Sequence, residues 1–255
     1  MSDRFLRVLT SLLPFLIIGG LLYAALFIKP KVMGASVAPL PIAARDAFYD
    51  VAVPQAGSIW AVGRGGKIVR RDGDASAWVV QPTATTQSLQ SIAAWSASEA
   101  LVVGGAATVL RTSDGGAHWL PVELMPAADF AAPKLLRVRR FAIDGAVVVG
   151  EFGLVAVTRD RGAHWSVVAP RKDVAWNDVA ITGDDGWVIV GEFGRIKRTQ
   201  DGGRTWIDVP SPVKSSLNAV VIRNDGQGVA VGLDGVVLGT TDGGQSWTLQ
   251  ASVTK

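Results

Sequence analysis

The chemistry-bearing residues of this chain are few and oddly regular. Both histidines, His118 and His164, sit one residue before a tryptophan and four after an aspartate. Asp114, Asp160, Asp201 and Asp242 recur at nearly equal intervals, each inside a short run that ends in Trp119, Trp165, Trp206 or Trp247. Histidine and carboxylate together can ligate a metal or shuttle protons. Equivalent positions of separate repeats, however, are held apart by the repeat itself and do not converge on one ion. Turn capping is the reading for these aspartates, and an exposed turn position the reading for the histidines. No cysteine is present, so disulfides and thiolate metal sites are excluded and the redox compartment is left open. No catalytic, metal or cofactor residue is assigned.

The elements that must position these residues follow from the period. TSDGGAHW, TRDRGAHW, TQDGGRTW and TTDGGQSW end at the four tryptophans, and a degenerate copy, RDGDASAW, ends at Trp78. Successive tryptophans are 41, 46, 41 and 41 residues apart. A period near 40 containing four short β-branched runs is that of a β-propeller blade. The first strands read YDVAV (49–53), QSIAA (90–94), RRFAI (139–143), NDVAI (177–181) and NAVVI (218–222), each preceded by a large apolar residue. Second strands end at Gly63, Gly104, Gly150, Gly191 and Gly232, and the fourth carries the tryptophan. The expected fold is therefore all-β: a five-bladed propeller of four-stranded antiparallel blades over 47–251. In blade three, eight extra residues are expected before the first strand and three fewer after it, which accounts for the 46-residue interval. With no extra strand for exchange, closure would rest on packing of blade one against blade five, or the molecule would be an arc completed by a partner.

The chain carries 29 glycines and nine tryptophans, with a net charge of +3. That balance, with no basic helix, does not point to nucleic acid. Residues 1–7 are polar. Residues 8–28 carry no charge and are long enough to span a bilayer as a helix. A cleaved signal peptide is the alternative, with small residues near 33–35, but the apolar run exceeds the roughly 7–15 residues of such a segment. An uncleaved anchor is expected. Flanking positive charge is nearly balanced, so the large following domain decides orientation: a single pass in the inner (cytoplasmic) membrane with the propeller on the periplasmic side. Residues 29–46, rich in proline and small residues, read as a tether.

The S/T-x-D-G-G-x-S/T-W repeat is the Asp-box of the bacterial neuraminidase repeat. The aspartate accepts backbone N–H groups of the hairpin between strands three and four, and the tryptophan enters the space between sheets. Gly73 stands where blade one needs the aspartate and Arg161 where blade three needs the first glycine, so those two turns should be less ordered. Together with the VG-x-x-G turns and the N-terminal apolar segment, these motifs resemble the photosystem II stability and assembly factors over residues 45–250. Those are propellers of the thylakoid lumen. Propellers of this type in non-photosynthetic bacteria often accompany exporters of the resistance-nodulation-division class. The resemblance implies a non-catalytic scaffold that helps assemble or stabilise an integral membrane protein complex, with a photosystem component or such an exporter as client. Plant and cyanobacterial members have seven blades and an arginine patch for the client. This chain has five, so the patch is not transferred.

The Gly-x-x-Gly hairpins hold the variable residues and are expected to share one face with the blade connections. Arg64, Glu151, Phe152, Glu192, Phe193 and Arg195, with Arg137, Arg139 and Arg140 beside the blade-three insertion, form the candidate partner face. Phenylalanine beside charge suits a protein contact. Ordinary solvated turns, with the phenylalanines folded over the core, are the bland alternative. Two other functions compete. A glycan- or ligand-binding module would need aromatic platforms such as Trp60 and Trp187. A sialidase-like hydrolase would need a tyrosine nucleophile, a partner glutamate, an acid aspartate and three arginines. Only Tyr23 and Tyr49 exist, Tyr23 lies in the apolar run, and five blades are one short of that fold.

Overall fold

The computed structural model describes residues 3–27, 40–73, 77–124 and 132–250. It divides into two compact units, Met1–Leu40 and Pro41–Lys255. The first contains an α-helix, Asp3–Phe27, whose described side chains, 12–23 and 26, are all exposed. Among the described residues no helix is long and apolar enough to cross a membrane. The anchor expected over 8–28 lies partly outside the described side chains, as does the tether through residue 39. Residues 41–46 belong to the propeller unit, where Asp46 accepts the Ala43 N–H at 2.7 Å and pairs with Lys67 of blade one.

The second unit is five four-stranded antiparallel sheets, each paired in sequence order. Their first strands are Phe48–Gln55, Leu89–Ala94, Leu135–Phe141, Trp176–Ile181 and Leu217–Ile222. These lie side by side from one blade to the next, so the sheets stack around a common axis. The strand sequences are short, β-branched and apolar on both faces, which suits a sheet sandwiched between two others. The glycine that ends each second strand has a steric cause. A Cβ at Gly63, Gly104, Gly150, Gly191 or Gly232 would come within 3.0 Å of the backbone oxygen of Ala47, Ser88, Lys134, Ala175 or Ser216.

The core is four layers between successive blades. Ala52, Trp60 and Val62 of blade one pack on Ile92, Ala94, Val102 and Trp119 of blade two. The same positions meet at the other three seams, with Trp165, Trp206 and Trp247 each facing the preceding blade. Trp60 and Trp119 meet edge-on at 5.5 Å, a favoured geometry for aromatic pairs.

Two expectations need correction. Blade three starts at Leu135, which pairs with Gly150 as Trp176 pairs with Gly191. Its inner strand is therefore set three residues earlier than RRFAI, and all five additional residues precede Leu135. Leu135 is the buried anchor, and Arg137 occupies the position held by Asp178 in blade four. Residues 125–131 of the insertion lie outside the described residues. Second, the blade-three turn is hydrogen-bonded as fully as its neighbours. Arg161 adopts φ 56°, donates its N–H to the Asp144 carbonyl at 2.9 Å and pairs with the Asp144 and Glu99 carboxylates. These ion pairs offset the missing glycine. In blade one, 74–76 lie outside the described residues.

Candidate partner-binding surface

The conspicuous aspartates are architectural. Asp114 accepts the Thr112 hydroxyl at 2.9 Å and the His118 N–H at 3.0 Å, while Thr112 accepts the Gly116 N–H at 2.9 Å. Asp160, Asp201 and Asp242 repeat this with Thr158, Thr199 and Thr240. Thr205 Oγ1 donates to Asp201 at 2.6 Å, as Ser246 does to Asp242. His118 and His164 place Nδ1 at 2.7 and 2.6 Å from the second oxygen of their own aspartates. Hydrogen bonds from Thr205 and Thr199 hold Asp201 down at about 2. Asp160 also falls to about 2: burial opposes the shift, and the bonds from His164 and Thr158 together outweigh it. Each aspartate is engaged within its own turn, and among the described residues no group of side chains could hold a metal ion.

The arginine trio is divided. Arg137 reaches into the centre of the propeller, 3.0 Å from Asp178 and 3.4 Å from Asp50, and Arg139 stands 3.7 Å from Asp178. Asp50 accepts the Ser91 hydroxyl at 2.6 Å and the Ile92 N–H at 3.1 Å. Asp178 accepts the Val220 N–H at 3.0 Å. These two carboxylates thus tie blade one to two and four to five, and Arg137 joins both pairs to blade three. Arg140 donates to the Ala94 carbonyl at 2.7 Å and lies 5.6 Å over the Trp95 ring. It sits beside the 141–145 connection, whose Asp144 contacts the Asp160 turn. Arg139 and Arg140 therefore lie towards the aspartate turns, away from the Gly-x-x-Gly hairpins.

At those hairpins the backbone is unusual. Glu151–Gly153 and Glu192–Gly194 form single 3-10 turns, as do Arg64–Gly66 and Leu233–Gly235. The central residue is left-handed in each: Gly65 at φ 68°, Phe152 at 58°, Phe193 at 59° and Asp234 at 58°. Glycine and aspartate tolerate this region; a bulky side chain in it is an outlier. The two flanking glutamates are already engaged. Glu151 accepts the Lys134 N–H and Glu192 the Ala175 N–H, both at 2.8 Å, which ties each turn to the incoming blade connection. The phenylalanines have no such role. Phe193 is 63% exposed, with the Arg195 guanidinium 5.7 Å from its ring. Phe152 is half-buried beneath Arg171 at 4.5 Å, beside a shallow hollow of about 60 Å³ lined by Pro133, Leu154 and Ala169. Arg64 and Arg195 are exposed.

The structure thus brings together, on adjacent blades three and four, two E-F-G turns that each pair a phenylalanine with an arginine. Arg171 was not among the expected residues; it lies far from the motif in sequence and joins it only through the fold. The signal for strain was legible, since Gly65 occupies the position that Phe152 and Phe193 fill. Trp60 and Trp187 are fully buried, so neither offers a platform to a sugar ring. Tyr49 is exposed on blade one.

Residues 72–174 match the model of the family described as Photosynthesis system II assembly factor YCF48. No curated protein matches the chain. Among solved structures, virginiamycin B lyase from Staphylococcus aureus is 15% identical, with 81% of this chain and 70% of that one covered at a TM-score of 0.68. YCF48 from Cyanidioschyzon merolae is 17% identical over 85% and 88%, at a TM-score of 0.47. A YCF48 bound to a D1 peptide is 16% identical over 81% and 82%, also at 0.47. At these identities structural likeness shows the propeller fold. The family match extends from the end of blade one through blade three and includes Phe152 and Arg171, while the second E-F-G turn lies beyond it.

Proposed function

We propose that the protein is a non-catalytic scaffold that holds a segment of an integral membrane protein during assembly of a complex. The observation that carries this is the pair of E-F-G turns. Left-handed backbone at a bulky residue costs on the order of 1–3 kcal/mol and persists where the surroundings impose it or a function requires it. Here the strain displays an aromatic ring beside a guanidinium, twice, at one place on neighbouring blades. Aromatic and arginine side chains together are the commonest anchors of protein contacts. The name of the family that residues 72–174 match refers to photosystem II assembly, which supports a membrane-protein client. A photosystem subunit and an exporter of the resistance-nodulation-division class are the two clients we name.

We further propose that residues 8–28 anchor the chain in the cytoplasmic membrane, with the propeller outside the cytoplasm. The uncharged run supports this, and protease accessibility in intact spheroplasts tests it. The scaffold reading is tested by mild-detergent isolation of the tagged 255-residue chain, with mass spectrometry of what accompanies it. An integral membrane protein that is retained by the natural chain and lost from a Phe152→Asn, Phe193→Asn double variant is expected. Equal recovery with both chains would overturn the assignment.

A further inference from the structure

The two end blades differ from the three between them. The second strands of blades two, three and four are buried throughout. In blade five the same strand, Gly228–Gly232, alternates between more and less exposed positions. Val221, Val229 and Val231 are 61, 41 and 39% exposed, and in blade one Val51 and Val53 are 58 and 60% exposed. Strands with apolar residues on both faces are the pattern of a sheet covered on both sides, yet among the described residues each end sheet is covered on one.

The repeat identifies what fits each open face. Val221, Val229 and Val231 occupy the positions that Ala180, Val188 and Val190 occupy in blade four, where they pack on Val220, Ile222 and Ala230 of blade five. Val51, Val53 and Ala61 of blade one occupy the positions of those last three. The open face of blade five is therefore the kind that meets a following blade, and that of blade one the kind that meets a preceding blade. The chain forms this contact four times with the same positions. Among the described residues of the propeller unit, both faces are left uncovered.

We propose that the open faces are joined between copies of this chain, blade five of one against blade one of the next, by continuation of the inter-blade interface. Such a contact is heterologous: it uses different surfaces on the two partners, so two or more copies associate head to tail. This is independent of the client reading, because it uses the sheet faces and not the E-F-G turns.

The absence of cysteine makes the test direct. A Val51→Cys chain carrying one tag is mixed with a Val229→Cys chain carrying another and treated with a short bis-maleimide. Each chain then has a single reactive thiol, so every cross-link joins two chains. The expected result is a mixed-tag species of twice the protomer mass, at least tenfold more abundant than either same-tag species. Adding Val221→Asp to the Val229→Cys chain should abolish it, with circular dichroism unchanged because Val221 is exposed. Three results would overturn the proposal: no mixed-tag species; a Val51→Cys, Val229→Cys double variant that cross-links only within one chain, which would mean that the ring closes on itself; or capture of a different protein by the Val229→Cys chain.

Discussion

Replacing Phe193 with asparagine separates the two roles that an exposed turn residue can have. The left-handed backbone at Phe193, φ 59°, costs an ordinary side chain about 1–2 kcal/mol. Asparagine accepts that conformation more readily, so the exchange recovers about 1 kcal/mol. It forfeits the contact with Arg195 at 5.7 Å, about 0.5–1 kcal/mol for an exposed cation–π pair. Little apolar burial is lost, because the ring is 63% exposed. The sum lies within about 1 kcal/mol of zero, a shift in Tm of no more than about 2–4 °C for a domain of this size. Phe152→Asn loses a closer guanidinium at 4.5 Å and a half-buried ring, and should cost about 1 kcal/mol more by the same reasoning. Thermal unfolding of the purified chain, followed by tryptophan fluorescence, reads stability, and the isolation experiment reads client retention. The reasoning predicts a near-neutral Tm together with a lost client. A Phe193→Asn chain destabilised by more than about 2 kcal/mol would show that the ring serves the fold, since losses of that size need a packing or strain mechanism.

Four further outcomes follow from the architecture. Trp119→Ala removes a 5%-exposed ring packed against Trp60 and should cost about 3–5 kcal/mol in denaturant unfolding, as for other large-to-small core changes. Arg137→Ala strips partly buried Asp50 and buried Asp178 of their shared cation. It should cost about 2–4 kcal/mol, towards the lower end of a broken buried pair because Asp178 keeps Arg139 and two backbone N–H groups. Arg139→Ala, at the exposed end of the same group, should cost less than about 1 kcal/mol. The depressed carboxyls of Asp160 and Asp201, each about 2 in the folded chain, stabilise the fold above the ordinary aspartate value near 4, and that contribution is lost as pH falls towards 2. Acid unfolding monitored by near-ultraviolet circular dichroism should accordingly fall in that window, and Asp201→Asn should flatten the dependence.

The architecture was legible because it is written repeatedly. A Gly-to-Gly interval of 41 residues at three of four steps, a tryptophan per unit and a capped turn in four units each report a local requirement, and their repetition makes the fold plain. Blade three escaped because two readings of its first strand are locally equivalent. RRFAI resembles NDVAI, and both Leu135 and Val138 are large and apolar. Only pairing across the sheet shows that Leu135 opposes Gly150. The same slip hid the role of Arg137, whose carboxylate partners, Asp50 and Asp178, lie in blades one and four; no sequence window contains that contact. Arg161 shows how a broken motif is repaired: its guanidinium finds Asp144 and Glu99 in three dimensions. For the candidate surface, the E-F-G duplication and, through Gly65, the signal for strain at its centre were visible, whereas the capture of both glutamates by backbone N–H groups and the arrival of Arg171 depend on the fold.

The most direct measurement places a photoreactive phenylalanine analogue at Phe193, and separately at Ile143, in the 255-residue chain expressed in its native cells. Ile143 is 77% exposed and lies in the connection beside the aspartate turns. The account predicts an integral membrane protein cross-linked from position 193 and none from position 143. Equal yields from both positions, or a cross-link from 143 alone, would contradict it.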